Sequence, residues 1–337
     1  MDLLAIVILN YNGKSYLEKF LPTVLAYADG HAVYVADNAS TDDSVVWLQT
    51  HFPEVRLIRN TVNYGFAGGY NEALRQIPAE YYCLLNSDVE VTSGWLVAPL
   101  RLLQQHPQVA AVQPKIRDYN YREHFEHGGG VGGHLDFLGY PFTRGRIFET
   151  RERDQGQYDT DEPCFWACGA CMFVRAEVYQ KMGGFDADFF AHMEEIDLCW
   201  RMQLAGYEVW ATAGSTVYHV GGGTLDYLNP RKTFLNFRNS LAMLYKNRPA
   251  QNLYGIILLR LVLDGLAGVR YVLGGHFALC WAIIRAHFAF YGQARIWHRK
   301  RRALDGLRKQ NRPVRLFEKS IIRAYFFQGI KNYSELS

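Results

Sequence analysis

"LLAIVILNYNGKSYLEKFLPTVLAYADGHAVYVADNAS" (residues 3–40) decides the fold. Residues 3–9 are a near-continuous apolar run that ends in polar residues at Asn10, as a strand buried on both faces requires. Residues 15–28 carry apolar side chains at helical spacing. A second apolar run then ends in Asp37 and Asn38. Strand, helix, strand at this spacing predicts a parallel sheet with crossover helices. The alternation continues. A helix is predicted over 40–52, a strand over 55–60, a helix over 66–77, a strand over 81–91, a helix over 93–107 and a strand over 109–116.

The 337 residues are 49% hydrophobic and 15% aromatic, which supports a substantial core. A net charge of +3 does not mark a nucleic-acid binder, and no nucleic-acid partner is expected. The basic residues gather toward the C-terminal end, in "HRKRR" (298–302) and "LRKQNRPVRLFEK" (307–319). "MDLLAIVILNYNG" lacks the pattern of a signal peptide, so the expected location is cytoplasmic and the six cysteines are expected as thiols. Cys164, Cys168 and Cys171 lie close in sequence, but a fourth ligand at matching spacing is not evident.

Residues 118–162, rich in Gly, aromatics and charge, are too long for an ordinary connection and are expected to be an excursion or flap. From about residue 230 the chain turns helical and very apolar. Charged and polar residues (Arg260, Asp264, Arg270, His276, Arg285) interrupt every stretch long enough to span a bilayer. Two readings stay open: helices packed on the domain, or helices in a bilayer interface with the basic end against acidic headgroups.

Ligands of open parallel sheets bind outside the carboxyl ends of the strands. Four such ends carry polar groups: Asn10, Asp37/Asn38, the stretch from Asn60 to Gly69, and Asn86/Ser87/Asp88. One acid at a strand end is ordinarily a cap; four polar strand ends together are harder to explain as turns. "NYGFAGGYN" (63–71) places glycines before a helix, where backbone can approach a phosphate. It is neither a dinucleotide fingerprint nor a P-loop.

"IVILNYNG", "VADNASTDDS", "NYGFAGGYN", "LLNSDVEV" and "FDADFFAHMEEIDLCWRMQLAGY" occur in the order seen in family 2 glycosyltransferases. The resemblance covers roughly residues 3–245 and is nearest the rhamnosyltransferase-like branch. It implies an α/β GT-A fold with a mainly parallel, Rossmann-like sheet over 1–229, and a helical C-terminal region over 230–337. It implies inverting transfer from a UDP- or dTDP-sugar to a hydroxyl of a glycan or lipid-linked acceptor, in cell-surface polysaccharide synthesis at the inner face of the cytoplasmic membrane. Carried over, Asp37 reads the pyrimidine base beside Asn10 and Asn38. Asn63, Gly65, Gly69 and Asn71 border the nucleotide sugar. "NSD" (Asn86, Ser87, Asp88) is similar to a DxD motif whose first acid is Asn. Asp88 and His219 hold Mg²⁺ or Mn²⁺. Glu195, or its neighbour Glu194, takes the acceptor proton. Trp166, Gly169 and Ala170 lie beside the sugars, with a core role for Trp166 left open. Arg144 and Arg146 are candidates for an acceptor phosphate or solvated surface, and Arg238 and Asn239 for closure over the diphosphate. Two rivals remain: a sugar nucleotidyltransferase, for which "NYNGKSYLEKF" offers only Gly13 and Lys14, and a non-catalytic nucleotide- or glycan-binding subunit.

Overall fold

The computed structural model describes residues 1–221, 228–308, 310 and 313–336. The chain opens with β1 (Asp2–Asn10), α1 (Lys14–Ala26), β2 (Ala32–Asp37), α2 (Ser44–His51), β3 (Arg56–Arg59), α3 (Gly65–Leu74) and β4 (Ala79–Asn86). It continues with β5 (Val89–Val91), α4 (Val97–Gln105) and β6 (Val109–Asp118). These are the predicted elements, except that the strand predicted over 81–91 divides at the Asn86–Asp88 turn. Residues 4–8 of β1 are buried on both faces, which is why this strand reads as an unbroken apolar run.

Among the described residues one sheet runs β4-β1-β2-β3 in parallel, as the alternation predicts. Its other half is mixed. β12 (Cys171–Arg175) inserts antiparallel between β4 and β6. β13 (Glu208–His219) runs parallel to β6, with β5 and β11 (Glu162–Cys164) antiparallel to it. The chain comes back into the sheet from the opposite end after its detour through residues 119–161, and this reverses β12.

That detour is not a loose flap. It forms a small antiparallel sheet of β7 (Gly133–Leu135), β8 (Pro141–Thr143), β9 (Arg146–Ile147) and β10 (Thr150–Arg151). Phe142 and Ile147 pack with Ile321 and Ala324, so the end of the chain folds back over this sheet. Asp136 Oδ2 accepts from the Ile321 N–H at 3.1 Å, and Glu152 Oε1 from the Tyr333 N–H at 2.8 Å.

Among the described residues the remaining α-helices are α5 (Ala176–Lys181), α6 (Glu194–Leu204), α7 (Pro230–Asn247), α8 (Leu253–Leu273), α9 (Phe277–Gly292), α10 (Ala294–Ala303) and the short α11 (Asp305–Arg308). Leu241–Leu244, Leu253, Phe290 and Trp297 belong to the same apolar core as β1. The C-terminal helices therefore do pack on the α/β domain. They do not use all their apolar surface: Leu258, Val262, Leu266 and Leu273 of α8, and Phe277, Trp281 and Phe288 of α9, are exposed. No helix among the described residues is long and apolar enough to cross a membrane.

Candidate functional site

Adjacent strand ends bring the site together. In register, Asn10 faces Asp37 across β1 and β2, and Leu9 faces Asn86 across β1 and β4. The polar groups that follow three separate apolar runs therefore sit side by side at one edge of the sheet. Asn10 Nδ2 donates to Asp37 Oδ1 at 3.2 Å, and the Ser40 N–H donates to Asp37 Oδ2 at 3.1 Å. Asn10 Oδ1 is buried without a hydrogen-bond partner. A buried acceptor left unpaired costs about 1–3 kcal/mol, so a ligand donor is the natural partner for it.

The other asparagines are occupied by the protein itself. Asn38 Nδ2 donates to Asn63 Oδ1 and to the Gly65 carbonyl, both at 3.0 Å, and Asn38 Oδ1 accepts from Asn60 Nδ2 at 3.1 Å. Asn63 Oδ1 also accepts from the Gly65 N–H at 2.9 Å. Asn38 and Asn63 thus pin the 60–65 loop. Asn71 lies elsewhere: it donates to the Phe185 carbonyl at 2.8 Å and accepts from Tyr179 Oη at 2.8 Å and the Phe185 N–H at 3.0 Å. The glycines of this loop allow close approach of protein to protein. Gly65 has φ +72°, and a Cβ there would meet Phe190 at 2.6 Å. A Cβ at Gly69 would stand 3.0 Å from Asn38 and Leu9. The expectation that these glycines make room for a phosphate is corrected to that extent.

Asn86, Ser87 and Asp88 form the turn from β4 to β5. His219, the last residue of β13, pairs with Val89 and is fixed from both sides. Its carbonyl accepts from the Tyr119 N–H at 2.9 Å, and the next residue's N–H donates to the Asp88 carbonyl at 3.1 Å. Its Nε2 lies 3.2 Å from Asp88 Oδ1 and 3.4 Å from Asn86 Nδ2. Glu126, which the sequence reading did not single out, stands on the other side of the ring, with Oε1 3.5 Å from Nδ1. Burial opposes charge on this imidazole, but Asp88 and Glu126 outweigh it and hold its pKa well above the ordinary histidine value. Burial alone would raise the Glu126 carboxyl; His219 and the Gly128 N–H help bring it down to about 2.

Among the described residues no three His, Cys, Asp or Glu side chains are grouped to hold a metal by themselves. Asp88 and His219 nevertheless suit a shared cation. Two ligands at right angles on one ion, each at about 2.1 Å, stand roughly 3 Å apart. One carboxylate and one imidazole leave most of a coordination sphere to substrate and water, which is how Mg²⁺ is commonly held beside phosphates. The donor set fits a divalent cation that keeps open positions for other ligands.

Glu194 and Glu195 lie in the first turn of α6. They follow Phe190, His192 and Met193, three non-glycine residues with φ near +70°. Such a run costs energy and persists only when its surroundings over-determine it. Arg238 and Asn239 supply that constraint. Arg238 Nη2 donates to the Asp188 and Phe189 carbonyls at 2.9 and 3.1 Å. Asn239 Nδ2 lies 2.8–3.0 Å from the carbonyls of Phe189, Ala191 and His192. These two residues hold the turn that presents the acids, a correction of the expected closure over a diphosphate. Oε2 of Glu194 and of Glu195 is each buried without a partner. Burial pushes the Glu195 carboxyl up to about 7; burial and then the Glu195 charge push Glu194 well above the ordinary range. Gly169 sits under Glu195, for a Cβ there would be 4.0 Å from the Glu195 Cβ. The Ala170 carbonyl accepts from the Asn86 N–H at 2.9 Å. Burial and then the charges of Glu126 and Glu195 raise the Cys168 thiol.

Two expectations give way to packing. Trp166 is 3% exposed, and its Nε1 donates to the His134 carbonyl at 2.9 Å, so it offers no ring face to a sugar. Arg144 is buried, donating to the Val131 carbonyl at 2.7 Å and pairing with Glu162 at 3.2 Å; Arg146 is also buried. Both brace the small sheet. Cys164 is buried with its thiol pushed up to about 12, and its Sγ contacts the Trp166 carbonyl at 3.4 Å. The residues after Gly221 in the glycine-rich turn fall, through 227, outside the described residues.

The chain is similar over 239 residues, at 27% identity, to the N-acetylglucosaminyl-diphospho-decaprenol L-rhamnosyltransferase of Mycobacterium tuberculosis, covering 66% of this chain and 78% of that protein. It is likewise 27% identical over 210 residues to rhamnosyltransferase WbbL of Escherichia coli K12, covering 60% of this chain and 77% of WbbL. Among solved structures it resembles GalNAc-T7 with UDP, GalNAc and Mn²⁺, with a TM-score of 0.57 at 13% identity over 73% of this chain and 48% of that one. It also resembles the mannosyltransferase PcManGT of Pyrobaculum calidifontis, in complex with GDP-Man and Mn²⁺, with a TM-score of 0.51 at 18% identity over 87% of this chain and 75% of that one. These likenesses establish the GT-A fold. The family model for glycosyl transferase family 2 matches residues 5–183, more than half of the chain. Those residues include Asn10, Asp37 and Asp88 at their three adjoining strand ends, and the protein is a glycosyltransferase of family 2.

Proposed function

We propose that the enzyme transfers a sugar from a UDP- or dTDP-sugar, with inversion, to a hydroxyl of a glycan or lipid-linked acceptor in cell-surface polysaccharide synthesis. Three groupings carry this reading: the Asn10–Asp37 pair with its unpaired acceptor, the Asp88–His219 pair suited to a cation, and Glu195 with a free buried oxygen. The rhamnosyltransferase names of both relatives support a deoxyhexose donor, and the diphospho-decaprenol in the name of the first supports a lipid-linked acceptor.

In this reading Asp37 accepts the imide N–H of the pyrimidine. Asp88 and His219 hold Mg²⁺ or Mn²⁺, which supplies positive charge for the departing diphosphate. Glu195 removes the acceptor hydroxyl proton as that oxygen bonds to the anomeric carbon. The bond from that carbon to the diphosphate breaks on the opposite face, and its electron pair leaves with the nucleoside diphosphate. Calorimetric titration with UDP, dTDP and their sugars tests the site. Binding of at least one is expected to need Mn²⁺, to vanish in EDTA and to weaken at least tenfold in Asp88→Ala. Equal binding with and without metal would remove Asp88 and His219 from this role.

The same reading puts the enzyme at the inner face of the cytoplasmic membrane, through α8 and α9. Their outward apolar stripe lies in a stretch, 253–304, whose single acid, Asp264, is buried, while Arg270, Arg285, Arg295, Arg299 and Arg302 are exposed. Apolar surface bordered by these cations complements an anionic lipid surface. Flotation with phosphatidylglycerol vesicles is expected to carry the protein, less so at high salt, and not to carry the double variant Leu258→Glu/Trp281→Glu. Flotation equal for wild type and variant, or none for either, would reject this surface as the contact.

A further inference from the structure

Glu126 lies outside every motif, yet it is buried against the ring of a proposed metal ligand. One oxygen, Oε2, accepts the N–H groups of Gly128 and Gly129 at 2.6 and 2.8 Å. That fixes the carboxylate and leaves Oε1 aimed at His219 Nδ1, 3.5 Å away. Nδ1 is buried and makes no hydrogen bond, and the Glu126 carboxylate oxygen is the charged group it faces. The opposite nitrogen, Nε2, faces Asp88 and Asn86. The backbone of Glu126 is also tied to the sheet, its N–H donating to the Ile116 carbonyl at 3.1 Å.

We infer that Glu126 is a positioning residue of the cation site: its carboxylate faces the Nδ1–H of His219, holds the proton on that nitrogen, and so presents the Nε2 lone pair on the side of Asp88. A ligating histidine needs one nitrogen free of its proton, and a carboxylate behind the ring selects which one while raising the basicity of the other. The two glycine N–H groups make the carboxylate rigid enough to do this. Glu126 acts on the cation through His219 and touches neither donor nor acceptor. The inference rests on the proposed metal role of Asp88 and His219.

The bland alternative is that Glu126 only caps the 126–129 turn. Two measurements on the full chain separate them. The first is Mn²⁺ affinity, with UDP or dTDP present, for wild type and Glu126→Gln. The second is the ring-nitrogen chemical shifts of His219 in metal-free protein at alkaline pH, assigned through His219→Gln. Glu126→Gln is expected to weaken Mn²⁺ binding about 10–100-fold and to shift the ring away from the Nδ1–H tautomer. Mn²⁺ affinity within twofold of wild type, with an unchanged tautomer, would overturn the inference. If Glu126→Gln does not fold, Glu126→Asp keeps the charge, withdraws it from Nδ1, and carries the same comparison. If wild type binds no Mn²⁺ with either diphosphate, the metal reading of the site fails, and the nitrogen shifts alone decide whether Glu126 sets the tautomer.

Discussion

Glu195→Gln is expected to lower kcat by about 10²–10⁴-fold while donor binding stays within a few-fold of wild type. Glutamine keeps the shape and the hydrogen-bond reach but cannot take a proton. Glu194→Gln is the internal control, because adjacent residues on α6 point in different directions. A larger loss in Glu194→Gln than in Glu195→Gln would transfer the role to Glu194. The pH profile gives a second signature. Burial raises the Glu195 carboxyl to about 7, and the base works only when ionised. Turnover is therefore expected to rise with pH through about 7 and then level, with the acid limb missing in Glu195→Gln. The stability effect has the opposite sign. A carboxyl raised in the folded state favours folding below its unfolded value and loses that contribution as pH climbs through 7. The site gains its base at the expense of folding stability, as unpartnered buried acids in active sites commonly do.

What the sequence shows of this site depends on how local each signal is. β1, β2 and β4 are buried on both faces, so each appears as an apolar run, and the polar residue closing each run lies at the sheet edge wherever the sheet pairs. Asn10, Asp37 and Asn86 follow from that rule alone, with Asp88 two residues further on. The histidine partner does not. Glu126 meets His219 only because residues 119–161 fold into a sheet of their own and β13 then returns beside β6, a long-range event with no periodicity to mark it. An acid between two histidines, just before three glycines, was the one available hint. Composition also misled in a consistent direction. Trp166, Arg144, Arg146, Arg238 and Asn71 belong to residue types common in binding sites, yet here each satisfies backbone groups inside the protein. Residue type cannot distinguish those roles, because a guanidinium or amide has the same donors whether it meets a phosphate or a buried carbonyl. The C-terminal helices were ambiguous for a related reason. α8 and α9 are apolar on two faces, one of which joins the core while the other remains exposed.

Asp197→Ala is expected to be the most destabilising single change in the helical half of the molecule. Asp197 is fully buried on α6. Its Oδ2 accepts from Arg201 Nε at 2.9 Å, and its Oδ1 from Asn247 Nδ2 at 2.7 Å, with Lys246 Nζ 2.9 Å away. Removing the carboxylate leaves a guanidinium and an ammonium buried with less than their compensating charge. Breaking a buried pair in this way costs about 3–5 kcal/mol, a large share of the stability of an ordinary domain. Lys246 retains Asp186, which also pairs with Lys300. Burial opposes the charge on Asp186, but the two lysines hold its carboxyl down at about 2. That contribution is complete above about pH 4 and fades as pH falls through 2. Asp197→Ala should therefore lower the denaturant midpoint at neutral pH and unfold earlier in an acid titration than wild type, when Asp186, the remaining partner of Lys246, protonates. The functional consequence follows from where Asp197 sits. It lies within one turn of Glu194 and Glu195, and it ties the helix that carries them to the C-terminal end of α7, the helix whose Arg238 and Asn239 hold the strained turn. Turnover per folded molecule should fall along with stability, because the acids lose their register against the strand-end cluster. A midpoint shift worth less than about 1 kcal/mol would mean that water screens this network as it does a surface pair, and that α6 is positioned by apolar packing alone.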